Sequence, residues 1–174
     1  MRKMSLGKNK KIWIDRYQRV TKIRDETFTD LGRPEIDQEW IIKRPNDFQW
    51  AIDEIIRHQL YTEIKYLQQS FDPTRSSHPV GVKSQWSDDT INKLEEGEHV
   101  VLKDLKKLFP PVAVVSEELL REAADMDYDR PVKSPWGKMK AVKLLEYWYD
   151  HEMYHRGQIY MVLNFFRGPP KNDH

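Results

Sequence analysis

The sequence predicts an all-α fold, an antiparallel four-helix bundle with one extra short helix. Three observations carry that expectation. Apolar residues recur at helical spacing along most of the chain, no convincing period-two alternation appears, and short clusters of proline and glycine separate the periodic stretches. The breaks fall at Gly32-Arg33-Pro34, Arg44-Pro45-Asn46, Asp72-Pro73, His78-Pro79 to Gly81, Pro110-Pro111, Pro131 to Gly137 and Gly168-Pro169-Pro170. Short links between long amphipathic helices favour antiparallel neighbours.

Taken in order, Lys11 to about Phe28 reads as the first helix. Asn46 or Asp47 is placed to cap a second that runs to about Phe71, with Ile52, Ile56, Leu60, Ile64 and Leu67 as its main stripe. Asp88 to Leu108 reads as a highly charged helix with a weaker pattern. Ser116, followed by Glu117 and Glu118, opens a shorter one ending near Met126. The strongest pattern is the last, from about Lys138 to Phe166.

The 174 residues suit a single domain spanning the chain, with residues 1–10 as a basic tail and 169–174 as a second tail. A third of the residues are charged, yet 6 Trp, 8 Tyr and 6 Phe supply enough apolar area for a packed interior. A formal net charge of +1 argues against a dedicated nucleic-acid or membrane-surface binder. No apolar run follows the basic start, so a secretory leader is not expected, and no stretch approaches the ~18 apolar residues of a membrane span. The expected location is the cytoplasm. Without cysteine the chain has no disulfide framework, no thiolate metal site and no cysteine nucleophile.

One face of the last helix reads Leu144, Trp148, His151, His155, Ile159, Val162, Phe166, at steps of four and three. Two histidines sit mid-stripe, one turn apart, where both imidazoles can reach one ion. A single buried histidine is more often a core residue satisfied by a hydrogen bond. Two at this spacing on an apolar face are harder to satisfy separately, and a shared metal resolves both. Gly157 in the same helix reads equally well as a place of close approach or as a tolerated glycine.

His151-Glu152-x-x-His155 matches the H-E-x-x-H pattern of zinc metalloproteases, but the rest of such a site is absent from the sequence. Gln158 and Met161 stand where the metzincin extension needs Gly and His, no glutamate follows His155, and no edge strand is available for an extended peptide. A peptidase is therefore not expected, and the third ligand lies upstream. His78 and His99 read as solvated, and His174 is terminal. His58, mid-helix on the stripe Ala51, Ile55, His58, Thr62, is the best candidate, although that flanking stripe also fits solvent exposure.

The segments FQWAIDEIIRHQLYTE and LLEYWYDHEMYHRGQIYMVLNFFRG resemble the second and fourth helices of the DinB-like (DNA-damage-inducible) family, and EELLREAADMDYDRPV is similar to the end of its third helix and the following loop. The resemblance covers roughly Ile12 to Gly168, and H-E-x-x-H-R-G-Q is its most specific part. It implies a four-helix bundle holding one divalent metal through three histidines, which by motif position are His58, His151 and His155. Two departures are Tyr154, where many members carry a further histidine, and the charged segment Asp88 to Leu108.

Three imidazoles leave a coordination position open, the arrangement of a catalytic metal rather than a closed structural one. Zinc or nickel is the expected ion. Glu152 is a candidate general base, although a surface salt bridge to Arg156 at i,i+4 is the plainer role. Asp150, Glu54 and Glu63 are candidates to orient an imidazole. Trp148, Tyr154, Tyr160 and Tyr61 either line a pocket or fill the core. The resemblance implies small-molecule chemistry: a transferase joining a low-molecular-weight thiol to an electrophile, or alternatively a metal-dependent hydrolase or a metal-stabilised bundle without activity. It also implies a homodimer. The expected partners are small molecules and not nucleic acid or membrane.

Overall fold

The periodic stretches fold as helices in the computed structural model, which describes residues 7–47, 49–68, 71 and 97–168. In chain order these are α1 (Gly7–Leu31), α2 (Glu39–Ile42), α3 (Ile52–Thr62) continuing as a π-helix (Glu63–Gln68), α4 (Leu102–Glu122), α5 (Asp125–Tyr128), a hairpin of β1 (Pro131–Ser134) and β2 (Gly137–Lys140), and α6 (Ala141–Arg167). No helix among the described residues is long and apolar enough to cross a membrane.

The four long helices bury two apolar clusters. One gathers Phe28 and Leu31 of α1, Ile56 and Leu60 of α3, Leu105 and Phe109 of α4, and Ile159 and Leu163 of α6. The other gathers Trp13, Tyr17 and Val20 of α1, Leu67 of the π-helix, Leu119 and Leu120 of α4, and Leu145 and Trp148 of α6. The order in which each helix passes these clusters sets its direction. α1 runs against α4, since Phe28 meets Phe109 and Tyr17 meets Ala113. α3 likewise runs against α6.

The bundle is the expected one, with a refinement in its helix directions. α1 and α6 run in the same sense, because Tyr17 stacks on Trp148 and Asp30 accepts from Tyr160. α3 and α4 also share a direction: Asp53 contacts Val100, and Gln68 contacts Ser116. Consecutive long helices that share a direction are known from bundles with crossover connections.

Three boundaries differ from the sequence reading. α3 starts at Ile52, not after Asn46 or Asp47. The backbone N–H of its N-cap, Ala51, donates to Glu54 Oε2 at 2.7 Å, half of a capping box. α4 runs through Pro110-Pro111, where a break was expected, and Ser116 is buried within it. The two prolines withdraw donors from the carbonyls of Lys106 and Lys107, but all four residues are exposed and water can replace those bonds. The buried stripe Leu105, Phe109, Val112, Val115, Leu119 keeps the helix continuous. The expected helix from Asp88 is described only from residue 97, and there the chain is not helical until Leu102. His99 is not simply solvated: its Nδ1 lies 3.1 Å from both carboxylate oxygens of buried Asp53.

The hairpin was not expected, and α6 starts after it, at Ala141. Its strands are four residues each, too short for alternation to stand out, and Pro135-Trp136 forms the turn. Gly137 follows with φ 103°, a conformation that side-chain-bearing residues rarely adopt.

Between the two apolar clusters lies a buried polar layer. The Arg24 guanidinium of α1 pairs with Glu63 of the π-helix and, at 2.8 Å, with Glu152 of α6. Tyr17 donates to Glu63 at 2.7 Å, and the Gln59 amide donates to Glu152 at 3.0 Å. The wider π turn brings both Glu63 and Ile64, then both Leu67 and Gln68, to the buried side. Arg24→Met would leave two carboxylates buried without their cation, and is expected to destabilise the fold by ~3–5 kcal/mol in urea denaturation. Adding Glu63→Gln and Glu152→Gln should restore a large part of that loss. A loss below about 1 kcal/mol in the single variant would show that the layer is not a constraint on the fold.

Candidate metal centre

α3 and α6 pack against one another, and His58 from the first meets His151 and His155 from the second. All three imidazoles offer a ligating nitrogen within 4.8 Å of the others. His151 Nε2 stands 2.9 Å from His155 Nε2 and 3.3 Å from His58 Nε2. Two nitrogens bound to one tetrahedral zinc at ~2.0–2.1 Å stand ~3.3 Å apart, so the spacing fits a shared ion. Hydrogen bonding within the trio fits less well. Each Nε2 offers one proton or one lone pair, so pairing among three leaves one unmatched, whereas a cation accepts three lone pairs.

The stripe expected on α6 faces inward, with Leu144, Trp148, His155, Ile159 and Val162 buried and His151 half-buried. Burial, reinforced by His155 and His58, pushes the His151 imidazole down to about 3. Burial lowers His155 to about 4, against a hydrogen bond to Gln158 that acts in the opposite sense. Both are therefore neutral at pH 7, the state in which imidazole binds metal. His155 Nδ1 donates to Gln158 Oε1 at 2.5 Å, and the Gln158 amide donates to the Tyr154 hydroxyl at 3.1 Å. With its proton fixed on Nδ1, His155 presents the Nε2 lone pair to its neighbours.

Glu152 occupies a different environment from either expectation. It is 1% exposed, bonded to Arg24 and Gln59, and outside the three-histidine group; Arg156 instead lies 3.6 Å from Glu26. Burial pushes its carboxyl up to about 7 against the pull of Arg24. α6 is buried on more than one stripe, against α3 and against α1, and position 152 falls on the second. The expected orienting carboxylates are engaged elsewhere, Glu54 with Arg44 and Glu63 with Arg24, while Asp150 is exposed. Gln158, an amide one turn beyond His155, takes that role. Its spacing from the histidine, within H-E-x-x-H-R-G-Q, was the available signal.

Aromatic rings surround the histidines. Trp50 lies edge-on to His58 at 4.9 Å between centroids and nearly parallel to His155, with a 10° interplanar angle. Tyr61 stacks near His58, Tyr147 lies tilted beside His151, and Tyr154 meets His155 edge-on. Trp136, at the hairpin turn, packs on Tyr147 at 4.2 Å. Of the aromatics singled out in the sequence, Tyr61 and Tyr154 reach the histidines. Trp148 is core, and the Tyr160 hydroxyl is bound to Asp30. His78 and His174 lie outside the described residues.

Gly157 is exposed, and a Cβ there meets nothing within 4 Å among the described residues. Gly157→Ala is expected to stabilise the protein by about 0.5–1 kcal/mol with unchanged metal content, checked by thermal unfolding and elemental analysis.

The depressed imidazoles also set a pH window. A ligand that binds the folded chain stabilises it according to its folded-state affinity, and protons compete only near the folded pKa values. That contribution is present above the ordinary histidine value near 6.5 and is lost as pH falls through the lower folded values. The gain in melting temperature of zinc-loaded over metal-free protein should keep most of its size from pH 8 to about pH 5.5, then collapse toward about pH 4. A collapse already complete near pH 6 would place the ligands in a solvated site.

The DinB superfamily profile matches residues 23–159, a span that includes all three histidines. No curated protein matches the chain. The profile covers most of the sequence and accords with the helical bundle and its three-histidine group. The chain belongs to the DinB superfamily.

Proposed function

We propose that the protein binds one divalent ion, zinc or nickel, through His58, His151 and His155, and joins a low-molecular-weight thiol to a small electrophile. The observation that carries this reading is a group of three imidazoles with no carboxylate among them. Such a set leaves room for an exogenous ligand. When bound, the ion would supply Lewis acidity, lowering the pKa of a thiol or water at that position.

The chain's own residues would do the rest. Gln158 fixes the proton of His155 on Nδ1, the buried pair of Arg24 and Glu152 holds the rotation of α6, and the aromatic rings form an apolar surround that limits water. Because the chain contains no cysteine, sulfur must come from a co-substrate. With a chlorinated nitroaromatic, the carbon–sulfur bond forms and the carbon–chlorine bond breaks. Chloride leaves with the bonding pair, and the thiol proton passes to solvent. Hydrolysis at the same position is the competing reaction, with water in place of the thiol. A bundle whose metal serves only stability would support neither. We further propose a cytoplasmic protein that acts on small molecules as a homodimer and binds neither nucleic acid nor membrane.

The test combines elemental analysis of untagged protein with assays of the zinc- and nickel-loaded forms. One ion per chain is expected, lost on changing His58, His151 or His155 to Ala and kept on changing His99. Coupling of 1-chloro-2,4-dinitrobenzene to at least one of several small thiols should be metal-dependent and absent in His155→Ala, while casein remains uncut. Metal-dependent ester hydrolysis without coupling to any thiol would replace the transferase reading with the hydrolase one. Full metal occupancy in His58→Ala would remove the site itself.

A further inference from the structure

A cleft of about 240 Å³ opens beside His155, lined by Gln49, Trp50, Ile55, His155, Gln158, Met161 and Val162. We propose that this cleft seats the electrophile, and that it selects an uncharged, planar aromatic group lying against the face of Trp50. The inference rests on the transferase reading for what happens to the ligand, but not for its binding.

Several features of the lining support this class. Trp50 is fixed from two sides, edge-on to His58 and parallel to His155, yet 42% of it is exposed, so part of a flat apolar ring stands open at the cleft. Such a ring gains from offset stacking with another ring beyond the area it buries. Met161 is 52% exposed and places a polarisable thioether at the same cleft, a group that favours aromatic contacts. Ile55 and Val162, both buried, form an apolar floor.

Among the described residues the lining contains no Asp, Glu, Lys or Arg, so a charged substituent would lose water and find no counter-ion among them. Besides the imidazole of His155, the lining offers the amides of Gln49 and Gln158, whose N–H groups suit neutral acceptors such as nitro or carbonyl oxygens. The volume lies below the ~300 Å³ at which pockets for drug-sized ligands begin, which suits one ring with small substituents. Lys65, the ammonium stacked over Tyr61, does not line this cleft.

The position of Trp50 follows from the late start of α3. Had the helix begun at Asn46 or Asp47, residue 50 would lie inside its first turns. With Ala51 as N-cap, the indole stands just before the helix, free to turn toward α6.

The test uses 1,3-dinitrobenzene, which lacks a leaving group suited to coupling, and calorimetric binding to the metal-loaded protein. Saturable binding is expected, weakened roughly ten-fold or more by Trp50→Ala and largely retained by Trp50→Phe, with metal content unchanged in both. Nitrocyclohexane, which carries a nitro group but is not planar, should bind at least about ten-fold more weakly. So should 3,5-dinitrobenzoate offered to metal-free protein, where no ion can attract it. Equal binding of either control, or an unchanged affinity in Trp50→Ala, overturns the inference. The two proposals fail separately. Dinitrobenzene binding that depends on Trp50 without coupling of any thiol keeps the cleft and removes the transferase. Thiol coupling to chlorodinitrobenzene and to an aliphatic epoxide, both indifferent to Trp50→Ala, removes the cleft assignment and keeps the transferase.

Discussion

One guanidinium shared between two buried carboxylates is the constraint on which the bundle turns. Arg24 must meet both Glu63 and Glu152, because each of these acids is fully enclosed. That requirement fixes α1, the π-helix and α6 against one another at a single height. Apolar clusters above and below tolerate small slips, since one aliphatic contact substitutes for another. A buried ion triad does not tolerate them, because a slipped carboxylate keeps its desolvation cost and loses its partner. Fixing Glu152 inward also fixes its neighbours. His151 lies one residue before it and His155 three after, so the rotation that satisfies Arg24 delivers both imidazoles to the side of α6 that faces α3.

The helices and the paired histidines of α6 were legible because they obey short-range rules. The stripe from Leu144 to Val162 needs only a count of threes and fours, and His151 and His155 declare themselves by interrupting it. His58 was less visible, since its stripe flanks the main apolar one and its company depends on how α3 meets α6. Glu152 was misplaced for the same reason: a helix with one buried face would expose it, but α6 touches both α3 and α1. The direction of α4 lay in contacts such as that of Gln68 with Ser116 rather than in any local pattern. Pro110-Pro111 looked like a stop because local preference was weighed without the five buried side chains that carry the helix past it.

What surrounds the histidines was least legible. Trp50 belongs to a helix by pattern and to a loop by capping, and one hydrogen bond from Ala51 to Glu54 decides between them. Trp136 reaches the site from a hairpin of eight strand residues that carries no usable periodicity. The three histidines thus come from the regular core of the fold, while Trp50 and Trp136 come from its turns.

The distance along the chain between the two helices that carry the histidines gives the three-histidine group a second aspect. His58 and His151 are separated by 93 residues of chain. An ion held by both would close a loop of that length, as a disulfide does in a secreted protein. For a covalent link of about 100 residues, the lost freedom of the unfolded chain corresponds to ~4.7 kcal/mol. In a sequence without a single cysteine, three imidazoles on two adjacent helices can thus supply a staple that is reversible and that comes and goes with the metal.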